Sequence, residues 1–338
     1  MIRKRATIAD VAERSGMSRS AVSLVLNNRP GARLSAEAAA RIREAAVELD
    51  YRPNPMARGL RVGKTGLIGF ISDNVTVTRY ASAMIRGALD VAGAAEHTVL
   101  IAETGRDLGK VTEATRLMLD RGVDGLIFAV MAAAEIDIPE IPAEVPFVMC
   151  NATAATGGPH VLPAEWDAGY AMSTALLDAG HRRIVLVGYD PDKPEPRRSC
   201  TIGDRYDGIF AGFQKYGVAP VAVSETQVWE PESGYEGMAH LLDAGHDFTA
   251  ALCLNDRMAF GAMQQLMMRG MRVPEDMSLS SFDDDVIATY VHPSLSTAGL
   301  PHEEMGREAM RMVLDSVREP ERRLVPMPVH LRGTIATV

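Results

Sequence analysis

From Gly66 onward the chain repeats one texture, in which short apolar runs alternate with stretches of helical spacing. The runs are "GLIGFI", "TVLIAE", "GLIFAV", "PFVMCN", "RRIVLVGY", "AALCLND" and "MSLSSFD". Helical patterns fall between them, over 81–96, 111–121, 164–179, 205–216, 233–244 and 257–270. Runs that stay apolar at consecutive positions suit strands buried on both faces. Strands that take turns with helices build parallel sheets with helices on either side. More than 250 residues of this pattern exceed what one core holds, so two doubly wound lobes are expected, divided near Pro163.

The residues before Gly66 have a different character. Through Lys64 there are 13 Lys and Arg against 6 Asp and Glu, while the remainder holds 22 basic and 38 acidic residues. A basic head on an acidic body suits a head that meets a polyanion. The head's pattern agrees. Thr7, with Asp10 three residues on, can cap a helix from Ile8, and Gly16 can end it in the left-handed conformation. Ser18 is a second N-cap. After it, Ala21, Val22, Val25 and Leu26 share one face; Ser20, Ser23, Leu24 and Asn27 share the other, with Arg19 at its edge. Two helices joined by a short Gly-containing turn form a helix-turn-helix, whose second helix presents its N-terminal residues to base edges in the major groove. Arg19 can pair with guanine, and Ser20 with a base or a phosphate. The segment "SAEAAARIREAAVEL" supplies a third helix with Ile42, Ala45, Ala46 and Leu49 in one stripe.

"YRPNPMARGLRVGKT", residues 51–65, follows. Asn54 can cap and Pro55 suits the first helical position, but a helix of one or two turns containing Gly59 does not pay for its own nucleation. It is expected to be helical only when a partner supplies contacts. A phosphate-binding loop is excluded, because the required glycine is Arg58 and a strand follows instead of a helix.

"TIADVAERSGMSRSAVSLVLN", "YRPNPMARGLRVGKTGLIGF" and "SLSSFDDD" resemble the lactose/galactose/purine repressor family of bacterial transcription regulators, and the resemblance runs along nearly the whole chain. It implies a homodimer on a near-palindromic double-stranded DNA operator, with hinge helices that form on the DNA. Leu60 would then wedge into the minor groove at the central step, with Ala57 beside its symmetry mate. The DNA-binding candidates are Thr7, Ser18, Arg19, Ser20, Ser23, Leu24 and Asn27 in the head and Asn54, Ala57 and Leu60 in the hinge. Many family members carry Arg or His where this chain has Leu24, which suits a thymine methyl instead.

The resemblance further implies a periplasmic-binding-protein-like body with three crossovers and an effector in the interlobe cleft. The expected division is 1–53 for the DNA-binding head, 54–65 for the hinge and 66–338 for the body. Lobe one would take about 66–163 plus 293–325, and lobe two 164–292 plus 326–338. Trp229, at a strand end, matches an aromatic that lies against the ligand, and a Trp face suits the C–H surface of a sugar. Arg205 matches a pocket arginine and Asp283 an effector-binding acid. Asn255 is expected to face the cleft while Asp256 caps the next helix. Asp73 and Tyr80, after the first strand, complete the set. A sugar or sugar derivative fits these groups; Arg197 and Arg198 either favour an acidic sugar or a phosphate or belong to a solvated Pro-rich loop.

Other classes fit less well. "HEEMG" at His302 lacks the second histidine of a zinc protease, and neither a G-x-S-x-G elbow nor a dinucleotide fingerprint occurs. No catalytic residue, cofactor or metal is therefore expected. Cys150, Cys200 and Cys253 are few and far apart, which argues for a reducing cytosol. No apolar run reaches the ~20 residues of a membrane span, and the basic N-terminus lacks the apolar segment of a secretory signal. A cytoplasmic location follows. A sugar-binding protein of periplasmic type is the rival for the body alone, but it would carry an export signal where this chain has a helix-turn-helix. No leucine-heptad tail follows Val338, so a dimer is expected.

Overall fold

The computed structural model describes residues 6–26, 34–51, 64–74, 76 and 79–338, in two compact units, Met1–Gly66 and Leu67–Val338. The first unit holds α1 (Ile8–Ser15), α2 (Arg19–Leu26) and α3 (Ala36–Glu48). Their core is Val11, Ala12, Val22, Val25, Ile42, Ala45 and Ala46, with Met17, Leu34, Leu49 and Tyr51 packed around it. Each large aliphatic side chain removed from water contributes roughly 1.5–3 kcal/mol. So small a core needs sound helix ends, and the sequence provides them. Thr7 and Asp10 form a complete capping box, and Gly16 closes α1 with a φ of 69°. Ser18 accepts from the Ala21 amide at 3.1 Å and Ser35 from that of Ala38 at 3.2 Å.

The second unit contains two six-stranded sheets of the same order. The first runs β11 (Arg322–Val325), β5 (His160–Pro163), β4 (Phe147–Ala154), β3 (Gly125–Ile136), β1 (Leu67–Ser72), β2 (Thr98–Glu103). The second runs β12 (Val329–His330), β10 (Ser296–Gly299), β9 (Ser278–Asp283), β8 (Ala250–Cys253), β6 (Ile184–Tyr189), β7 (Ala222–Glu225). All pairings are parallel except β10 with β12. The chain therefore passes between the sheets three times: after Pro163, after Gly299 and after Val325.

Lobe one is covered by α4 (Arg79–Ala94), α5 (Leu108–Asp120) and α11 (His302–Leu314). Lobe two is covered by α6 (Glu165–Asp178), α7 (Ile202–Lys215), α8 (Pro231–Asp243) and α9 (Asp256–Met268), with the short α10 (Val286–Tyr290) at one end. Neighbouring helices cross on glycine. A Cβ on Gly306 would lie 2.0 Å from the Met84 carbonyl oxygen, and one on Gly208 2.0 Å from that of Trp166. Only glycine admits α11 against α4 and α7 against α6 at this separation.

Two expectations change. The return to lobe one was placed at 293, yet Ser296–Gly299 pairs with β9 in the second sheet, so the crossing falls after that strand. β10 reads "STAG", four buried residues without an apolar run, and its polar groups are bonded internally; the Ser296 amide donates to the Thr334 hydroxyl at 2.9 Å. Second, β3 continues to Ile136 across a register shift between Ala129 and Ala134, beyond the "GLIFAV" that marked it.

Candidate functional site

In the head, the core contacts of α2 fix which side faces out. Val22 and Val25 are buried, Ala21 and Leu26 pack at the core's edge, and Arg19 and Ser20 are exposed. Ser23 and Leu24 are half-buried on the side away from Val22. Ser18 is spent on the cap of α2. Thr7 is likewise occupied, its hydroxyl donating to the Asp10 carboxylate at 2.8 Å and its amide to the same oxygen at 2.7 Å. Arg19, Ser20, Ser23 and Leu24 form the outward strip. Asn27, Asn54, Ala57 and Leu60, together with the conditional hinge helix, lie outside the described residues.

In the body, four of the expected effector residues converge at the C-terminal ends of the second sheet. Arg205, on the first turn of α7, is the hub. Its guanidinium takes Glu165 in a two-point bond at 2.6 and 2.8 Å and donates to the Leu254 carbonyl at 2.8 Å. It also stacks 4.4 Å from the Phe282 ring centre and stands 6.0 Å from that of Trp229. Asp283 comes within 3.9 Å of it. Burial opposes the charge of Arg205, but Glu165 more than compensates and holds its pKa above the usual value. Arg205 is thus already neutralised by a buried partner 40 residues away in sequence.

The cap of α9 falls to Asn255 and not to Asp256. Asn255 is the N-cap of α9, accepting from the Met258 amide at 2.8 Å and donating to the Trp229 carbonyl at 3.1 Å. It positions Trp229 from below. Asp256 is fully buried and accepts from the Ser281 hydroxyl at 2.5 Å and the Asp285 amide at 2.7 Å. Burial pushes its pKa up to about 6, against those hydrogen bonds.

Asp283 closes β9 with a φ of 105°, a conformation that a residue with a side chain adopts only when its surroundings impose it. Burial pushes its carboxyl up to about 7, although Arg205 pulls the other way. Trp229 is half-buried on the loop before α8, and its indole N–H is buried with no acceptor among the described residues.

The first lobe contributes less. Asp73 is buried, and its carboxylate accepts from Arg106 at 2.7 Å, the Met131 amide at 3.1 Å and the Asn74 amide at 2.9 Å. It fastens β1 to β3 and is not joined to the lobe-two cluster. Tyr80 lies in the first turn of α4, and its side chain lies outside the description. A cavity of about 250 Å³ lies beside Asp73, walled by Ile71, Val111, Phe128 and Ile136 and closed by Arg197 from lobe two. Arg205, Trp229, Asn255 and Asp283 do not line it.

Sequence reasoning missed the contact that ties the lobes together. The extension of β3 meets the loop between β6 and α7: the Glu135 amide donates to the Pro196 carbonyl at 2.8 Å, and that of Cys200 to Ala133 at 3.2 Å. Arg197 grips Asp137 at 2.7 and 2.9 Å and reaches Glu135 at 3.3 Å. Arg198 pairs with Asp190 at 2.6 Å. Both arginines are therefore committed within the protein, which overturns their assignment to an acidic ligand. Among the described residues, no group of His, Cys, Asp and Glu is placed to hold a metal ion, and no helix is long and apolar enough to cross a membrane.

Comparison with known proteins agrees with this arrangement. Residues 7–54 match the family described as bacterial regulatory proteins, lacI family, and residues 174–335 match a periplasmic binding protein-like domain. The transcriptional repressor PurR of Proteus mirabilis is 29% identical over 336 residues, 97% of this chain and 95% of that protein. The ribose operon repressor of Haemophilus influenzae is 28% identical, covering 93% of each chain. In structure, the lac repressor dimer bound to operator and the anti-inducer ONPF superposes with a TM-score of 0.76 at 24% identity, over 98% of this chain and all of that one. That last likeness speaks for the fold, while the matched head and the full-length relatives speak for the role. The chain thus joins a head that matches the lacI family of bacterial regulatory proteins to a periplasmic-binding-protein-like domain, and it is a DNA-binding transcriptional regulator with a ligand-binding body.

Proposed function

We propose that this regulator is a cytoplasmic repressor that binds a near-palindromic operator as a homodimer and is governed by a sugar-like effector between the lobes of its body. The reading assigns 1–53 to the DNA-binding head, 54–65 to a hinge that folds on DNA, and the remainder to effector binding and dimerisation. Arg19, Ser20, Ser23 and Leu24 would read base edges, and Leu60 would wedge into the minor groove. No catalytic step is assigned. The observation that carries the reading is the outward strip of α2, which leaves Arg19 and Ser20 exposed at the N-terminal end of a helix anchored by Val22 and Val25. That geometry suits major-groove entry.

Control would follow from the same chain. An effector that contacts both lobes favours one angle between them, and a ligand shifts an equilibrium only through such a difference in affinity. Arg205, Trp229 and Asp283 supply a donor, an aromatic plate and an acceptor on the lobe-two side, with Asn255 holding the Trp229 backbone in place. Selection of duplexes from a random pool by the full-length protein tests the proposal. A two-fold symmetric consensus, with affinity that falls steeply as salt rises, is expected. Recovery of no consensus would remove the operator-binding reading.

A further inference from the structure

Lys193 stands on the loop between β6 and α7, with its ammonium 4.6 Å from the Trp229 ring centre. Its loop neighbours Arg197 and Arg198 are each paired with carboxylates, and Arg205 is paired with Glu165. Among the described residues no carboxylate comes within ion-pair distance of Lys193. Burial lowers its pKa; Asp190 acts in the opposite direction, and Arg198 and Arg205 add to the lowering. The indole N–H of Trp229, on the ring beneath the ammonium, also lacks an acceptor. Two donors on one small surface, one of them charged, are thus left without partners in a partly desolvated place, where unmade hydrogen bonds are costly.

The surroundings sharpen the point. Past Lys64 the chain carries 16 more acidic than basic side chains, and at the strand ends Asp190 and Glu165 already match Arg198 and Arg205, so Lys193 is the cation of this group that has no ion pair among the described residues. A partly desolvated ammonium with no ion pair attracts an anion. The Trp229 ring supplies an apolar face for the rest of the molecule.

Resting on the reading of the cleft as the effector site, we infer that the effector is an anion, a small polyol bearing a carboxylate or a phosphate, whose charged group pairs with Lys193. Arg197 and Arg198 do not perform this recognition. They hold the loop to lobe one and to Asp190 and thereby place Lys193 over the indole. A charged group bound at Lys193 then touches the loop that joins the two lobes, so its arrival bears on the interlobe contact directly.

Thermal shift and calorimetry on the full-length protein test this with matched pairs: glucose and glucuronate, galactose and galacturonate, glucose and glucose 6-phosphate, ribose and ribose 5-phosphate. At least one charged member is expected to bind roughly tenfold or more tightly than its neutral partner, as a charge-assisted bond implies. The uronates and phosphates separate the two anionic chemistries. Lys193→Met, which keeps the apolar stem over Trp229, is expected to unfold at the same temperature as the wild type and to bind both members of that pair within about twofold of each other. The proposal is overturned if neutral sugars bind as well as charged ones, if Lys193→Met keeps the preference, or if no anion in the panel binds. Trp229→Ala distinguishes the failures. A neutral sugar that binds the wild type and is lost in this variant leaves the cleft as the effector site while removing the anion. A ligand indifferent to Trp229→Ala removes the cleft itself.

Discussion

The two lobes share one strand order and differ in where they bury polarity. Sheet one is lined on both sides by apolar clusters around Phe70 and Phe128. Sheet two buries Ser278, Ser280, Ser281, Ser296 and Thr297 in its strands and gathers Glu165, Arg205, Asp256 and Asp285 at their ends. Among the lobe-one groups that approach the other lobe, Asp137 and Glu135 are met by Arg197 and Arg322 meets Asp204, both at partly exposed sites. Several of these groups are partnered within the lobe, as Arg205 is by Glu165 and Asp256 by Ser281, and buried polar networks of this kind hold a fixed geometry. A partly exposed ion pair costs little to form or break. The contrast points to lobe two as the ligand reader and to the contact at Arg197 as the adjustable join.

Removing one member of each arginine pair separates the two kinds of site most widely. Arg205→Met strands the buried Glu165 carboxylate and is expected to cost about 3–5 kcal/mol in urea denaturation, whereas Arg197→Met, at a solvent-screened pair, should leave the denaturation midpoint close to that of the wild type. Equal costs would erase the distinction between the lobes. Where the lobes are built alike they should respond alike. Gly208→Ala and Gly306→Ala each force a Cβ onto a helix carbonyl, and each is expected to lose about 1–3 kcal/mol. A harmless substitution in one lobe would show that its helices can separate.

A smaller effect concerns pH. Asp283 has its carboxyl raised to about 7 by burial, well above its value in the unfolded chain. The native state then holds a proton that the unfolded state has released, so its contribution to stability is present at acid pH and is lost as pH rises through about 7. Asp283→Asn removes this dependence. It should raise the melting temperature relative to wild type more at pH 8 than at pH 5, and an equal change at both would refute the assignment.

The parts of this molecule that were legible in its sequence are those written in local periodicity. Thr7, Gly16 and Ser18 mark helix ends within a few residues of the contacts they make, and Val22 and Val25 repeat at helical spacing. The seven apolar runs mark seven strands for the same reason. β10 was missed because "STAG" is buried through hydrogen bonds to the distant Thr334 and not through apolar side chains. The site was legible as a set of residues but not as a set of bonds. Arg205 finds Glu165 40 residues away and Arg197 finds Asp137 60 residues away, distances over which no pattern in the sequence reports. Lys193 passed unnoticed for the converse reason: its importance lies in lacking the ion pairs its neighbours make.

The central claim is that the outward strip of α2 reads DNA, and Arg19 is where it is most exposed to test. Fluorescence anisotropy on a duplex recovered by selection compares the wild type with Arg19→Ala at fixed salt. Roughly ten- to hundredfold weaker binding to that duplex is expected, with little change on a scrambled one. Undiminished affinity and unchanged preference between the two duplexes would contradict the account.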